Sequence, residues 1–278
     1  MSNFNIEELE RKRAEVHAAY KKDMLIGCLT VIFLVGIFFI IRASNRMSKF
    51  KAEFKDQVGK AVVENKFVDG QYFPKGGFSW AEIKDAGFYK DPDRHVSRDK
   101  ISGKIDDVKF EMSYVELIEK RVRSNGKTTT VEYIPYFKGR WFVFDFEKNL
   151  NQKILIMSGR RFVNHHLREK LQKAETESIE FSKQFKIFTT DQHKVFYLLT
   201  PAVIETIKAL DKKYPGAMNI AFINGRVHVS LYDKNYYMRV RINKPLTKEV
   251  IDGICSNLNV VEDLIHELKL NTQKFKDS

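Results

Sequence analysis

The stretch GRWFVFDF at residues 139–146 decides the fold, because large apolar side chains alternate onto both faces of one extended strand. One face carries Trp141 and Val143, and the other carries phenylalanines at positions 142, 144 and 146. Since apolar side chains on either face must be shielded from water, both faces require a covering layer. We therefore expect this strand in the interior of a sheet that is packed on both sides.

The segment upstream of this strand predicts its antiparallel partner. Apolar residues alternate from Val108 to Tyr114, and the phase then shifts by one position at Val115, which indicates a β-bulge. The dipeptide Asn125-Gly126 follows, and this pair is typical of a two-residue hairpin turn because both residues tolerate positive φ angles. Two strands joined by a tight turn are therefore expected here.

Shorter strands and helices are predicted around this hairpin. The segments at 153–159 and 185–188 are predicted strands, and Asn224-Gly225 indicates a second hairpin. Helical periodicity predicts helices over 160–184 and 247–270. Hairpins with scattered helices predict an α+β fold, in which a mainly antiparallel sheet with flanking helices follows a long N-terminal helix.

Three local signals predict where helices begin. Ser79 is followed three residues later by Glu82, as in a capping box. Thr200 precedes Pro201, which suits an N-cap followed by the first helical position. Asp191-Gln192-His193 precedes a predicted strand or helix, and Asp191 is expected to accept hydrogen bonds from neighbouring backbone amides in a turn; a polar functional site is the alternative.

A second decisive feature is the uncharged run MLIGCLTVIFLVGIFFII at residues 24–41. Eighteen helical residues extend over roughly 27 Å, which is close to the thickness of a hydrocarbon core. The run is longer than the apolar part of a signal peptide, and the segment before it is too acidic. A buried core helix would carry a polar side, which this run lacks. We predict a transmembrane helix.

Periodicity on both sides of the run predicts one continuous helix from about Asn5 to Asn65, over roughly 90 Å. A single crossing would place the N-terminal tail and the C-terminal domain on opposite sides of the membrane. The predicted organisation is a tail helix at 1–23, a transmembrane helix at 24–41, a juxtamembrane amphipathic helix at 42–66 and an α+β domain at 67–278.

The juxtamembrane helix carries an apolar stripe that must be buried. Its members recur every three or four positions: Met47, Phe50, Phe54, Val58 and Val62. We expect the stripe to pack against the rest of the chain, and a second copy of the protein or the membrane surface are the alternatives. In the last case three lysines, Lys49, Lys51 and Lys55, are candidate ligands for anionic lipid head groups.

The distribution of charge bears on the location of the C-terminal domain. The first 23 residues carry five basic and five acidic side chains, so the net charge of +12 belongs to the rest of the chain. A C-terminal domain with this positive charge is attracted to an anionic leaflet, although a basic surface also serves solubility. Nucleic acid is not favoured as a partner. The crowding of Arg42, Arg46, Lys49 and Lys51 after the run favours the cytoplasmic side.

Three segments carry a resemblance to a known family: IPYFKGRWFVFDFEKN at 134–149, FKIFTTDQHKVFYLLTP at 185–201 and HELKLNTQ at 266–273. Together they resemble a family of bacterial membrane proteins catalogued as domain of unknown function 3137, over roughly residues 45–275. The resemblance implies a bacterial inner-membrane protein with a large C-terminal domain at the cytoplasmic face. It implies no activity and no catalytic residue. Many relatives have two apolar runs in a hairpin, whereas this chain has one.

The sequence contains no motif that fixes a reaction. It holds no phosphate-binding loop, dinucleotide fingerprint or G-x-S-x-G elbow, and no cofactor is predicted. His266 begins like a zinc-protease helix, but Leu270 stands where the second histidine is needed. His165 and His166 diverge on a helix, so no metal is predicted there. Cys255 is interpreted as a small apolar residue.

Two adjacent arginines form the remaining candidate site. Arg160 and Arg161 follow Ser158-Gly159, where a predicted helix begins, so they could hold an anion beside free helix amides. The alternative is an ordinary strand-to-helix turn with exposed arginines.

These observations favour a membrane-tethered interaction module that presents a basic α+β domain at the membrane surface. Its expected partners are the lipid bilayer and either a membrane protein or a second copy that contacts the N-terminal helix. The alternative is a lipid or apolar-ligand binding domain, because many aromatic strand residues and a basic excess could form a pocket. A membrane enzyme that acts on phosphate groups through Arg160 and Arg161 is the third hypothesis.

Overall fold

The computed structural model describes residues 5–30, 35–146, 153–159, 171–214, 216–233 and 236–270. These residues form an α+β structure, as predicted. The helices are α1 (Ile6–Thr30), α2 (Val35–Phe54), α3 (Lys60–Lys66), α4 (Trp80–Ile83), α5 (Ile179–Gln184), α6 (Gln192–Leu198), α7 (Pro201–Lys213) and α8 (Lys248–Glu267). The strands are β1 (Val68–Phe73), β2 (Arg94–Ile105), β3 (Val108–Ser124), β4 (Thr129–Asp145), β5 (Ile154–Ser158), β6 (Gln172–Ala174), β7 (Phe185–Thr189), β8 (Met218–Ile223) and β9 (Arg226–Tyr232).

The chain divides into two compact units. The smaller unit comprises Met1–Pro74 and Tyr237–Asn259, and the larger comprises Lys75–Tyr236 and Val260–Ser278. In the larger unit, eight strands follow one another in the order β2-β3-β4-β9-β8-β5-β7-β6. Every described pair among these eight is antiparallel, which confirms the predicted sheet.

The strand GRWFVFDF lies in the interior of this sheet, as predicted. β4 pairs with β3 on one side and with β9 on the other. All four residues from Trp141 to Phe144 are buried. The Trp141 ring lies 5.2 Å from the ring of Phe88, while Phe142 and Phe144 stack 6.2 Å apart. Apolar cover on both faces therefore fixes this strand in the core.

The bulge predicted near Tyr114 is carried by the partner strand. The register of β2 against β3 shifts between Arg98 and Ile101, opposite Tyr114 and Met112. Asp99, inside this shift, is fully buried with a φ of 58°. The phase change in β3 itself arises because both of its faces are buried there, with Phe110 and Met112 on one face and Val115 and Leu117 on the other.

The two predicted hairpins differ in their turns. Ile223 pairs with Arg226, so Asn224 and Gly225 form the expected two-residue turn, with φ angles of 50° and 69°. The first hairpin has a longer loop than predicted, because Ser124 pairs with Thr129. There the Asn125 side chain accepts hydrogen bonds from the amides of Lys127 and Thr128, at 3.1 and 2.8 Å. This side chain stabilises a four-residue loop.

All three capping predictions are confirmed. The Ser79 hydroxyl accepts from the Glu82 amide at 3.3 Å, and the Glu82 carboxylate accepts from the Ser79 amide at 2.6 Å. The Asp191 carboxylate accepts from the His193 amide at 2.9 Å at the start of α6. Thr200 caps α7, with Pro201 at its first position.

The helix predicted over 160–184 is confirmed only at Ile179–Gln184 and is wrong at Gln172–Ala174. Residues 160–170 lie outside the described residues. Gln172–Ala174 instead form β6, which is hydrogen-bonded to β7, and α5 begins only after Ser178, whose hydroxyl accepts from the Phe181 amide. Pairing with the sheet edge outweighs helical periodicity in this segment. The strand predicted at 185–188 is confirmed as β7, and the helix predicted at 247–270 is confirmed as α8.

In the smaller unit, α1 and α2 lie side by side and antiparallel, so the predicted straight helix from Asn5 to Asn65 is wrong. Lys12 pairs with Glu53, and Asp23 pairs with Arg46. A Cβ at Gly27 would lie 2.8 Å from Ile40 Cγ1, so this glycine permits the close approach of the two helices. Within the described ranges, no helix is long and apolar enough to cross a membrane.

From Val35 onwards the predicted helix is continuous. A π-helical turn at Lys55–Gly59 joins α2 to α3, which ends at Lys66. The predicted apolar stripe is buried at Phe50, Phe54, Val58 and Val62, whereas Met47 is partly exposed. The expectation that the chain covers its own stripe is therefore confirmed.

Candidate membrane-binding and interaction surfaces

One end of the α1–α2 pair exposes large apolar side chains. We call the following set the apolar end: Leu25 and Leu29 on α1, and Ile37, Phe38 and Ile41 on α2. Leu29 is 72% exposed and Phe38 is 62% exposed. Single exposed apolar residues are common on soluble proteins, but five on adjoining turns of two packed helices form a surface that favours an apolar environment.

A charged belt borders the apolar end. It consists of Lys21, Lys22 and Asp23 on α1, and Arg42 and Arg46 on α2. The Asp23 side chain is only 6% exposed, and its Oδ2 lies 3.3 Å from Arg46 Nη1 and 3.7 Å from Arg42 Nε. Four cations against one carboxylate leave the belt positive. An apolar surface followed by a positive belt matches the order of hydrocarbon and anionic head groups across a bilayer surface.

The predicted lysine site is not a single cluster. Lys51 and Lys55 are partly buried and lie four residues apart, on one side of the helix. Lys49 is exposed, but it precedes Lys51 by two residues and therefore points to the opposite side. The other predicted pair, Arg160 and Arg161, lies outside the described residues.

The hairpin of β3 and β4 extends beyond the sheet as a two-stranded ribbon. We call residues 119–134 the β-arm. Among the described strands, β2 accompanies β3 only as far as Ile118, and β9 accompanies β4 only from Gly139. At the base of the β-arm the pairing skips Tyr136 beside Pro135, as expected where a regular ladder ends. The Lys120 amide at the base donates to Asp93 Oδ2 at 2.7 Å, and beyond it both edges of this ribbon present backbone groups to solvent.

The β-arm is exposed and positively charged. Val122, Val131 and Tyr133 are all exposed, although strands usually bury one face. The β-arm contains four cations, Lys120, Arg121, Arg123 and Lys127, against two carboxylates near its base, Glu119 and Glu132, and Arg121 is paired with Glu119. The cations toward the tip, Arg123 and Lys127, have no acidic residue between them. At the base, the guanidinium of Arg94 stacks 3.4 Å from the centroid of the Tyr133 ring. The β-arm is held at its base, and the rest of it is exposed and accessible to a partner.

The core of the larger unit contains a buried histidine that no motif predicted. His228 is 5% exposed, and its Nδ1 accepts a hydrogen bond from Trp141 Nε1 at 3.4 Å. Burial, with the nearby Arg226 acting in the same direction, lowers the pKa of His228 to about 4. The imidazole is therefore neutral at pH 7, and its position among core aromatics indicates a structural role.

The described residues do not assemble a nucleophile or a metal site. Cys255 is half-buried, and burial raises the pKa of its thiol, so the reactive thiolate is disfavoured. His266 Nε2 lies 2.8 Å from Asp106 Oδ2 at an exposed position. Among the residues that the structure describes, no group of three histidine, cysteine or acidic side chains could hold a metal ion.

Fold and surfaces together define an α+β protein that carries an apolar-ended pair of N-terminal helices. Residues 135–270 match the family described as "Protein of unknown function (DUF3137)". This match confirms the predicted family resemblance over that part of the chain, and the description states no activity. No curated protein and no solved structure matches the chain.

Proposed function

We propose that this protein is a membrane-tethered interaction module, held at the cytoplasmic face of a bacterial inner membrane by its N-terminal helices. The apolar end, next to its positive belt, is the observation that carries the proposal. Full burial of a Leu, Ile or Phe side chain is worth about 1.5–3 kcal/mol. Five such side chains, each about half exposed or more, would favour the bilayer by roughly 5 kcal/mol or more.

The packing of α1 against α2 supports entry of the apolar end from one side of the membrane. In that arrangement the start of α1 and the end of α2 stay on the same side. The single crossing predicted from residues 24–41 is the other arrangement of the same proposal. It requires the two helices to separate and align, which would break the ion pair of Asp23 with Arg46.

Membrane attachment is expected to depend on the apolar end. The double variant Leu29→Glu/Phe38→Glu places two charges where hydrocarbon contact is proposed, and it should move the protein from the membrane fraction to the soluble fraction. The matched control is Ile179→Glu/Tyr197→Glu, which changes two other exposed apolar residues, at 73% and 83% exposure. That control should stay with the membranes. Equal membrane recovery of the two variants would overturn the proposal.

The side of the membrane is tested with single cysteines at Glu7 and Glu177, both exposed, in a chain that lacks Cys28 and Cys255. A membrane-impermeant maleimide is applied to intact and to opened cells. For the helical pair, both positions should react only after opening. Reaction of Glu7→Cys in intact cells, with Glu177→Cys protected, would instead establish the single crossing. Reaction of both positions in intact cells would refute the cytoplasmic location.

The interaction part of the proposal is supported by the β-arm. A ribbon with two open edges can accept a further strand through its backbone groups, and its cations would select an acidic sequence. We therefore propose that the β-arm binds an acidic, extended segment of a partner protein. This mode needs no pocket, and it leaves the rest of the sheet unchanged.

A photo-crosslinker at Val122 should form an adduct with one acidic partner, whereas a crosslinker at the exposed Ile179 should not. The variant Arg123→Glu/Lys127→Glu should abolish the adduct at Val122, because repulsion replaces attraction. Replacement of residues 122–131 by Asn-Gly should also abolish binding, yet change the free energy of unfolding by less than about 1 kcal/mol, since an isolated ribbon adds little stability. An adduct that survives the charge reversal would contradict the assignment.

A further inference from the structure

The smaller unit contains a cleft of about 310 Å³ beside the start of α8. Its lining consists of Arg239, Val240, Arg241, Lys244, Pro245, Leu246 and Val250. The three basic residues are exposed, whereas Val240 and Leu246 are buried. The cleft therefore combines a cationic rim with an apolar floor. Its volume lies at the lower end of the range for small-ligand sites.

The loop that forms this cleft is held rigidly by α1. Arg13 Nη1 donates to the backbone oxygen of Ile242 at 2.6 Å, and the Leu246 amide donates to Glu10 Oε2 at 2.5 Å. Arg13 also donates to both carboxylate oxygens of Glu10, at 2.8 Å each. Two points of the loop are thus fixed by one partly buried ion pair, so the rim needs little reorganisation to receive a ligand.

The positive charge of the rim is not balanced within the lining. Among the described residues that line the cleft, none is acidic. Glu10 is the nearby carboxylate that holds the loop, and its charge is already matched by Arg13, whose hydrogen bond lowers the pKa of Glu10. The N-terminal turn of α8, a helix of 20 residues, adds a partial positive charge beside Val250, and the carboxylate in that turn, Glu249, is exposed and does not line the cleft. A negative ligand is therefore favoured at the rim.

We propose that this cleft binds a phosphate-bearing ligand, with Arg239, Arg241 and Lys244 around the phosphate and Val240 and Leu246 against an adjoining apolar group. Two arginines and a lysine provide several charge-assisted donors, as phosphate oxygens require. The inference goes beyond membrane tethering, because the cleft does not include the apolar end.

The phosphate could belong to a lipid head group or to a soluble metabolite. Arg13, which fixes the loop, lies eleven residues before Met24, where the apolar run begins. Eleven residues of helix extend about 16 Å, which exceeds the depth of one head-group layer, roughly 6–8 Å. A lipid could therefore reach the cleft only if the helical pair lies tilted, whereas a soluble phosphate reaches it in any orientation.

The test uses the full chain in a mild detergent at low salt, with inorganic pyrophosphate as the probe in calorimetric titrations. The triple variant Arg239→Gln/Arg241→Gln/Lys244→Gln should weaken binding by about tenfold or more, because it removes the charged donors and leaves the apolar floor. The control Lys248→Gln removes an exposed cation that does not line the cleft, and should bind like the unchanged chain.

Vesicles of phosphatidylcholine, with and without phosphatidic acid, identify the source of the phosphate. If the unchanged chain binds pyrophosphate and the triple variant does not, a soluble ligand is assigned. If the unchanged chain exceeds the triple variant only in binding to vesicles with phosphatidic acid, a lipid head group is assigned. Equal binding by the triple variant and the unchanged chain in both experiments would overturn the proposal. Membrane recovery of the protein, which depends on Leu29 and Phe38, is measured separately and tests the proposed tether alone.

Discussion

Gly139→Ala is expected to destabilise the larger unit by about 3 kcal/mol, which is a large share of the stability of a typical domain. Gly139 lies in β4, where it pairs with Tyr232 of β9. A Cβ there would overlap the backbone oxygen of Leu231 and lie 2.7 Å from the Asp233 nitrogen. These are backbone atoms of a paired strand, so no side chain can rotate away. The strand must move, and the pairing of Gly139 with Tyr232 is lost.

The measurement is urea unfolding of the full chain, followed by near-ultraviolet circular dichroism. The matched control is Gly253→Ala in α8, where an added Cβ meets no atom within 4 Å. Because alanine favours helix more than glycine by about 1 kcal/mol, this control should be neutral or stabilising. If both variants unfold at the urea concentration of the unchanged chain, the close approach of β4 and β9 is wrong.

Acidification is expected to weaken the larger unit because His228 is buried as a neutral imidazole. In the unfolded chain this histidine takes a proton near its ordinary pKa of 6.5, whereas the folded chain takes it only at about 4. The unfolded state therefore binds more protons between these values. Stability is fully present above about pH 6.5 and is lost as the pH falls toward 4. The difference in pKa corresponds to about 3 kcal/mol.

The variant His228→Gln should lose most of this pH dependence. Its free energy of unfolding at pH 7 is expected to be lower, because the packing and the hydrogen bond of Trp141 are disturbed, but its decline between pH 6.5 and 4.5 should be shallower. Carboxylates that titrate in the same range contribute equally to both proteins. The control His193→Gln, at an exposed position, should keep the steeper curve. Parallel curves for all three proteins would refute the role of His228.

Much of the fold follows from local rules of sequence. Alternation in GRWFVFDF predicted an interior strand because the side chains of a strand point to only two faces, and here both faces are apolar. The caps at Ser79, Asp191 and Thr200 were predictable because a short polar side chain satisfies nearby amides without help from distant residues. The turn at Asn224-Gly225 was predictable because both residues tolerate positive φ angles. These features depend on contacts within a few positions of the chain.

Two features that depend on distant contacts, the helical pair and the cleft, were not predicted. A straight helix and a folded helical pair have the same 3.6-residue period, so periodicity could not separate them. The signals that favoured the pair were Gly27 opposite Ile40 and Asp23 opposite Arg46, which are informative only once the helices are side by side. The same limit applies to the cleft, since Arg239, Arg241 and Lys244 lie in a loop without a motif.

The two hydrogen bonds that hold the cleft loop on α1 join residues that are synthesised far apart in time. Arg13 and Ile242 are separated by 229 positions, and a ribosome adds about 5–20 residues per second. The paired helices, complete at Phe54, are therefore synthesised roughly 10–40 s before Ile242 in the loop that rests on them. Their apolar end can reach a membrane while the rest of the chain is still being made. Under the proposed tether, the cleft residues are therefore added to a chain whose helices are already at the membrane.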